Sequence, residues 1–119
     1  MSEAQTSGRF VVQRHQARTL HHDFRLERDG VFKSWAVPKG LPVEPGLQRL
    51  AIATEDHDLA FGDFQGRIPA GEPGAGAIER WDQGTYTLRE WTDSNVSSVL
   101  NGDRCVADAV RFGGCSIWW

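Results

Sequence analysis

Asp29-Gly30, set between the runs His21–Glu27 and Val31–Val37, constrains this chain more than any other feature. Val31–Val37 is rich in β-branched and aromatic residues, and the first run reads as a strand by its alternation of polar and apolar residues. Asp-Gly tolerates positive φ at both central positions of a two-residue hairpin turn. With the loop at Asp29-Gly30, cross-strand partners have numbers summing to 59. Phe24 then faces Trp35, Asp23 faces Ala36 and Arg25 faces Ser34. Side chains alternate between faces along a strand. His22, Phe24 and Leu26 therefore share one face, and His21, Asp23, Arg25 and Glu27 the other. His15 has the parity of the second group.

A polar strand face is commonly the solvated side of a half-buried sheet. Concentration argues for more here: all four His lie between positions 15 and 57, three of them within eight residues. Two imidazoles and a carboxylate form a ligand set for a divalent transition metal. An Arg beside them suits an anionic oxygen, because its planar fork holds phosphate in bidentate fashion.

The rest of the chain reads as strands and turns. Phe10 to Gln13 is a short β run, Gln16 to Thr19 a loop, and Arg49 to Thr54 a strand. Glu55-Asp56-His57-Asp58 is an acidic bend. Pro38 to Gly46 and Ile68 to Gly76 are Gly/Pro-rich excursions that no continuous ladder crosses. Gln83-Gly84, Asn101-Gly102 and Gly113-Gly114 separate five further strands at intervals of about ten residues. No window sustains the spacing of a long amphipathic helix. The expected fold is all-β: a compact antiparallel β-barrel with long Gly/Pro-rich loops, as a single domain over 9–119 behind a disordered leader over 1–8.

Composition narrows the function. With 119 residues, 39% of them hydrophobic, the chain supports one packed core. A net charge of −3 excludes nucleic-acid binding by bulk attraction and requires a local basic patch. No stretch of about 18 apolar residues spans a membrane, and no signal peptide is evident. Cys105 and Cys115 fit neither a disulfide framework nor a zinc pattern, so both are expected as small core residues of a reduced, cytoplasmic protein.

Phe10-Val11-Val12-Gln13-Arg14-His15, Leu20-His21-His22-Asp23-Phe24-Arg25-Leu26-Glu27, Ser34-Trp35-Ala36-Val37-Pro38-Lys39-Gly40, Arg49-Leu50-Ala51 and Glu55-Asp56-His57 stand in this order. The set resembles the 3′-phosphoesterase domain of bacterial DNA ligase D and its free-standing relatives. The resemblance covers residues 10 to 82 and fades beyond about residue 92. It implies a β-barrel and a Mn²⁺-dependent activity, with Co²⁺ or Zn²⁺ as other candidate ions. That activity removes a 3′-terminal ribonucleoside and then the 3′-phosphate, leaving a 3′-hydroxyl. DNA primer-template 3′ ends are the implied substrate, with a DNA ligase and Ku-type end-joining proteins as partners. By position, His15, His21 and Asp23 match metal ligands, Arg25 and His57 the residues at the scissile phosphate, and Lys39 and Arg49 further basic contributors. Arg14 joins Lys39 and Arg49 as a cation for the DNA backbone. The chain departs from the family pattern at His22, Asp58, Phe61 and Pro73; Phe61 stands where a tyrosine is usual. Two other readings are a DNA-end-binding repair module with weakened catalysis and a two-His-one-carboxylate iron oxygenase.

Overall fold

A computed structural model describes residues 6–41, 48–92, 95–104, 106–113 and 116–118. The Asp29-Gly30 turn forms as the sequence requires, with φ of 56° and 80°. It joins β2 (Leu20–Arg28) to β3 (Val31–Val37). Their ladder runs from His22↔Val37 to Arg28↔Val31, every pair summing to 59. Phe24 meets Trp35 with ring centroids 6.4 Å apart.

On the other side of β2 lies β1 (Ser7–Gln16), paired from Phe10↔Leu26 to Gln16↔Leu20. β1 begins inside the stretch expected as a leader: Ser7 and Gly8 pair with Thr87 and Tyr86. The expected strand over Arg49 to Thr54 is two strands, β4 (Gln48–Leu50) and β5 (Ile52–His57). Glu55 to His57, expected as a bend, are the end of β5. β6 (Gly66–Ile68) follows a 3-10 helix over Leu59–Asp63. Residues 76–91 form one long strand, β7 (Gly76–Trp91), with no turn at Gln83-Gly84. Asn101-Gly102 are the last two residues of β8 (Asn95–Gly102) and pair with Thr85 and Gly84. These glycines serve close approach instead of a turn, since Gly84 and Gly102 face each other across the ladder. A Cβ on Gly84 would stand 2.1 Å from the Asn101 carbonyl oxygen, and one on Gly102 2.5 Å from the Phe10 ring. β9 (Val106–Gly113) and β10 (Ser116–Trp118) form the expected last hairpin.

The strands make one antiparallel sheet in the order β4-β10-β9-β8-β7-β1-β2-β3-β5, with β6 beside β7. Its two edge strands are consecutive in the chain, separated only by buried Ala51. The sheet therefore bends until its ends meet through a covalent corner. No ladder joins β4 to β5, so barrel describes the curvature and not a closed hydrogen-bond ring. The concentrated core lies on the His22 face of β2: Phe10, Val12, Phe24, Leu26, Val37, Tyr86 and Leu100 are buried together. Burying each large apolar side chain contributes about 1.5–3 kcal/mol. The expectations for Pro42 to Gly46, Cys105, Cys115 and Trp119 lie outside the described residues, as do those for the side chains of Ile117 and Trp118.

Candidate active site

On the opposite face of β1 and β2, register alone assembles a donor cluster. His15 pairs directly with His21, and Asp23 follows two residues along on the same side. Asp23 Oδ1 lies 3.2 Å from His21 Nε2, and Oδ2 lies 3.5 Å from His15 Nδ1. One ligand atom from each of the three residues falls within 4.8 Å of the others. Two ligands bound to one ion at about 2 Å stand roughly 3–4 Å apart, so the trio has the reach of a metal centre.

Backbone carbonyls fix which ring nitrogen faces Asp23. His15 Nε2 donates to the Gly74 carbonyl at 2.8 Å, and His21 Nδ1 faces the Thr19 carbonyl at 3.3 Å. The remaining nitrogens, Nδ1 of His15 and Nε2 of His21, face the carboxylate. Carbonyl partners of this kind orient metal-binding imidazoles. The hydrogen bond to Asp23 raises the His21 pKa above its ordinary 6.5, against burial. Burial pushes the Asp23 carboxyl up, but the hydrogen bond and charge of His21, with Arg25 and His15, outweigh it and hold Asp23 low. The trio is thus poised as one carboxylate between two imidazoles.

Arg25 is 3% exposed and almost fully engaged. Its Nε donates to Gln13 Oε1 at 2.7 Å; NH1 donates to Ser34 Oγ at 2.7 Å and to His57 Nδ1 at 3.1 Å. Its NH2 lies 3.7 Å from Asp23 Oδ2. Gln13, itself fully buried, donates onward to the Phe61 carbonyl at 2.8 Å. A charge buried with this many partners is held in one orientation. Burial draws the guanidinium pKa down while Asp23 opposes that shift; arginine nonetheless keeps its charge in proteins.

His57 reaches this face through a bulge. Ser34 pairs with Thr54, but Phe32, two residues away, pairs with His57, three residues away. A regular ladder would bring Asp56 to this face and turn His57 from it, because a one-residue slip reverses every side chain. His57 Nδ1 also lies 3.0 Å from the Glu55 carbonyl. It accepts from Arg25 when Nε2 holds the proton, and it donates to Glu55 when Nδ1 is protonated. The 3-10 helix covers this end. Gly62 lets it sit on Phe32, where a Cβ would stand 2.5 Å from the ring. Phe61 then lies over Arg25, 5.0 Å from its guanidinium carbon, with its ring 5.1 Å from that of His57.

His15, His21, Asp23, Arg25 and His57 all line one cleft of about 420 Å³. Arg14, Lys39 and Arg49 are not among its walls. Lys39 and Arg49 line a neighbouring cavity of about 290 Å³ with His22 and Trp81, and His21 separates the two spaces. Arg14 pairs with Glu79 at 3.1 Å. Tyr86 is unavailable to the cleft: it is buried in the core and donates its hydroxyl to the Glu27 carbonyl. Sequence reasoning missed Gln13, Ser34 and Gly74. Parity offers a signal for the first two, because Gln13 and Ser34 face Asp23 and Arg25 in register. For Gly74 none exists. Gly71 and Gly74 form turns at positive φ, and Gly76 admits the loop to β1: a Cβ there would lie 2.1 Å from the Gln16 carbonyl oxygen.

Residues 13–110 match the family model described as the DNA Ligase D 3′-phosphoesterase domain. The multifunctional non-homologous end joining protein LigD of Mycobacterium bovis is 56% identical over 84 residues, 71% of this chain and 11% of that protein. Its counterpart in Pseudomonas aeruginosa is 54% identical over 101 residues, 81% of this chain and 12% of that protein. That of Mycolicibacterium smegmatis is 55% identical over 83 residues. The chain therefore spans about a tenth of the length of the curated relatives it matches.

Proposed function

The chain belongs to the DNA Ligase D 3′-phosphoesterase domain family, and on that premise we propose that it is a metal-dependent phosphoesterase of DNA 3′ ends. It removes a 3′-terminal ribonucleoside and then the remaining 3′-phosphate, leaving a 3′-hydroxyl for end joining beside a DNA ligase and Ku-type proteins. The observation that carries this reading is the convergence of the His15–His21–Asp23 trio with the Arg25–His57 pair in one cleft.

His15, His21 and Asp23 would hold the ion, Mn²⁺ on this reading. Bound there, it supplies Lewis acidity to a phosphate oxygen and a site for water. Arg25 offers NH2 to a non-bridging oxygen, its other nitrogens being fixed by Gln13, Ser34 and His57. A rigid cation of this kind stabilises charge that develops in the transition state. In its doubly protonated form His57 donates Nδ1–H to the Glu55 carbonyl and offers its Nε2 proton to the leaving oxygen. Water adds to phosphorus, the P–O5′ bond breaks, and O5′ takes that proton as the nucleoside departs. Ser34 is not a nucleophile: its hydroxyl donates to the Phe32 carbonyl at 3.1 Å while accepting from Arg25.

Primers ending in a 3′-ribonucleotide or a 3′-phosphate, with and without Mn²⁺, test the proposal. Mn²⁺-dependent conversion of both to a 3′-hydroxyl is expected. His21→Ala should lose metal binding and cleavage together. Arg25→Ala should lose cleavage while metal affinity stays within about threefold, since arginine is no ligand. End binding without cleavage in the wild type would overturn the proposal and favour a binding module.

A further inference from the structure

The metal trio, Arg25 and His57 account for most of the polar side chains in the cleft wall. The side chains of Thr54 and Glu55 are the two that the mechanism above does not use. The remaining walls are apolar side chains and Gly74. Glu55 is an acceptor only, and its charge opposes phosphate; the Thr54 hydroxyl both donates and accepts. Register places that hydroxyl. Thr54 pairs with Ser34 and Ser34 with Arg25, so the three side chains form one row across β5, β3 and β2. Ser34 is buried and fully engaged, accepting from Arg25 while donating to the Phe32 carbonyl. Thr54, next in the row, is exposed on the edge strand, and its hydroxyl has no partner among the described residues.

We infer that Thr54 reads the 2′-hydroxyl of the departing ribonucleoside and so favours a ribonucleotide over a deoxynucleotide end. The inference rests on the phosphoesterase reading and names the residue that recognises the sugar. In that reading the departing sugar hangs from the oxygen that His57 protonates. His57 and Thr54 stand on the same strand, three residues apart across the bulge. Their backbones are separated by at most roughly 10 Å, at about 3.3 Å per residue. A sugar held at the His57 side chain spans such a gap. The 2′-hydroxyl is the one group that distinguishes ribose from deoxyribose there. It donates and accepts, as the Thr54 hydroxyl does, and the cleft wall offers it no other uncharged side-chain partner. Removing a 3′-phosphate from a DNA end involves no such hydroxyl, so that step does not call on Thr54.

Thr54→Val tests this, because it keeps the shape and β-branching of the side chain and removes only the hydroxyl. Mn²⁺-loaded protein is given DNA primers that end in a ribonucleotide, a deoxynucleotide or a 3′-phosphate, and single-turnover rates are compared. Wild type should cleave the ribonucleotide end faster than the deoxynucleotide end. Thr54→Val should lose about three- to tenfold on the ribonucleotide end, the worth of one uncharged hydrogen bond. It should stay within about twofold of wild type on the 3′-phosphate end, and Thr54→Ser should restore the ribonucleotide rate. An equal loss on the ribonucleotide and 3′-phosphate ends would show a structural role and overturn the inference. So would an unchanged ribonucleotide rate in Thr54→Val, or equal wild-type rates on ribonucleotide and deoxynucleotide ends; the phosphoesterase reading survives each of these. No conversion of any primer by wild type overturns that reading, and the inference falls with it.

Discussion

Phe61 is the residue whose chemistry matters most against its position. It sits over the Arg25 guanidinium and beside His57, where the proposed function calls for a hydroxyl towards a phosphate oxygen, and it has none. Tyr86 does not compensate, because its hydroxyl is bound in the core. A donor to a charged acceptor is worth about 1.5–3 kcal/mol, or roughly ten- to over a hundredfold in rate. Phe61→Tyr should therefore accelerate cleavage of a 3′-ribonucleotide or 3′-phosphate end, measured separately; no gain on either would mean the hydroxyl is not needed here. His21 gives a second residue-scale prediction. Its folded pKa exceeds the ordinary 6.5, so in the metal-free protein its contribution to stability is complete below that value. The contribution is lost as pH rises through the folded pKa. In chelator, the melting-temperature gap between wild type and His21→Gln should shrink from about pH 6 to about pH 9. Metal affinity should move the other way, rising with pH as the competing proton leaves.

Among the elements, β5 decides whether His57 joins the Arg25 face. Its bulge advances His57 by one residue relative to β3 and so turns the imidazole towards Arg25. Inserting a glycine between Asp56 and His57 should pass the Phe32 pairing to that glycine and rotate His57 off the face. The expected variant folds, binds metal within about threefold of wild type and loses cleavage by about 10²-fold or more, since a general acid contributes about 10²–10⁴-fold. Retained cleavage, measured beside a circular dichroism spectrum of unchanged shape, would show that His57 does not act through this placement.

The whole molecule keeps its two faces apart. One buries Phe10, Phe24, Leu26, Tyr86 and Leu100; the other carries the donors and Arg25. The sheet curves round the first face until β4 and β5, its two edges, meet at Ala51. Stability and chemistry are therefore separable. Tyr86→Phe removes the hydrogen bond to the Glu27 carbonyl and should cost about 1–2 kcal/mol in denaturant unfolding. Cleavage by that variant should stay within about twofold of wild type; a larger loss would mean the core face feeds the site directly.

Much of this was legible along the chain because it depends on neighbours in sequence. Asp29-Gly30 determined the register of β2 and β3, and strand parity then separated His21, Asp23 and Arg25 from Phe24 and Leu26. His15 joined them by parity once β1 paired with β2. Distant segments were decided only in three dimensions. Gly84 and Gly102 carry the same residue type as a turn, yet each is a close contact between strands. His57 followed an acidic run that reads as a bend, and a bulge specified by pairing with β3 brought it to the Arg25 face. Gly74 supplies only a carbonyl, which no side-chain pattern announces. Local turn chemistry and alternation are properties of a few consecutive residues; bulges, close backbone approach and carbonyl partners arise only when separate strands meet.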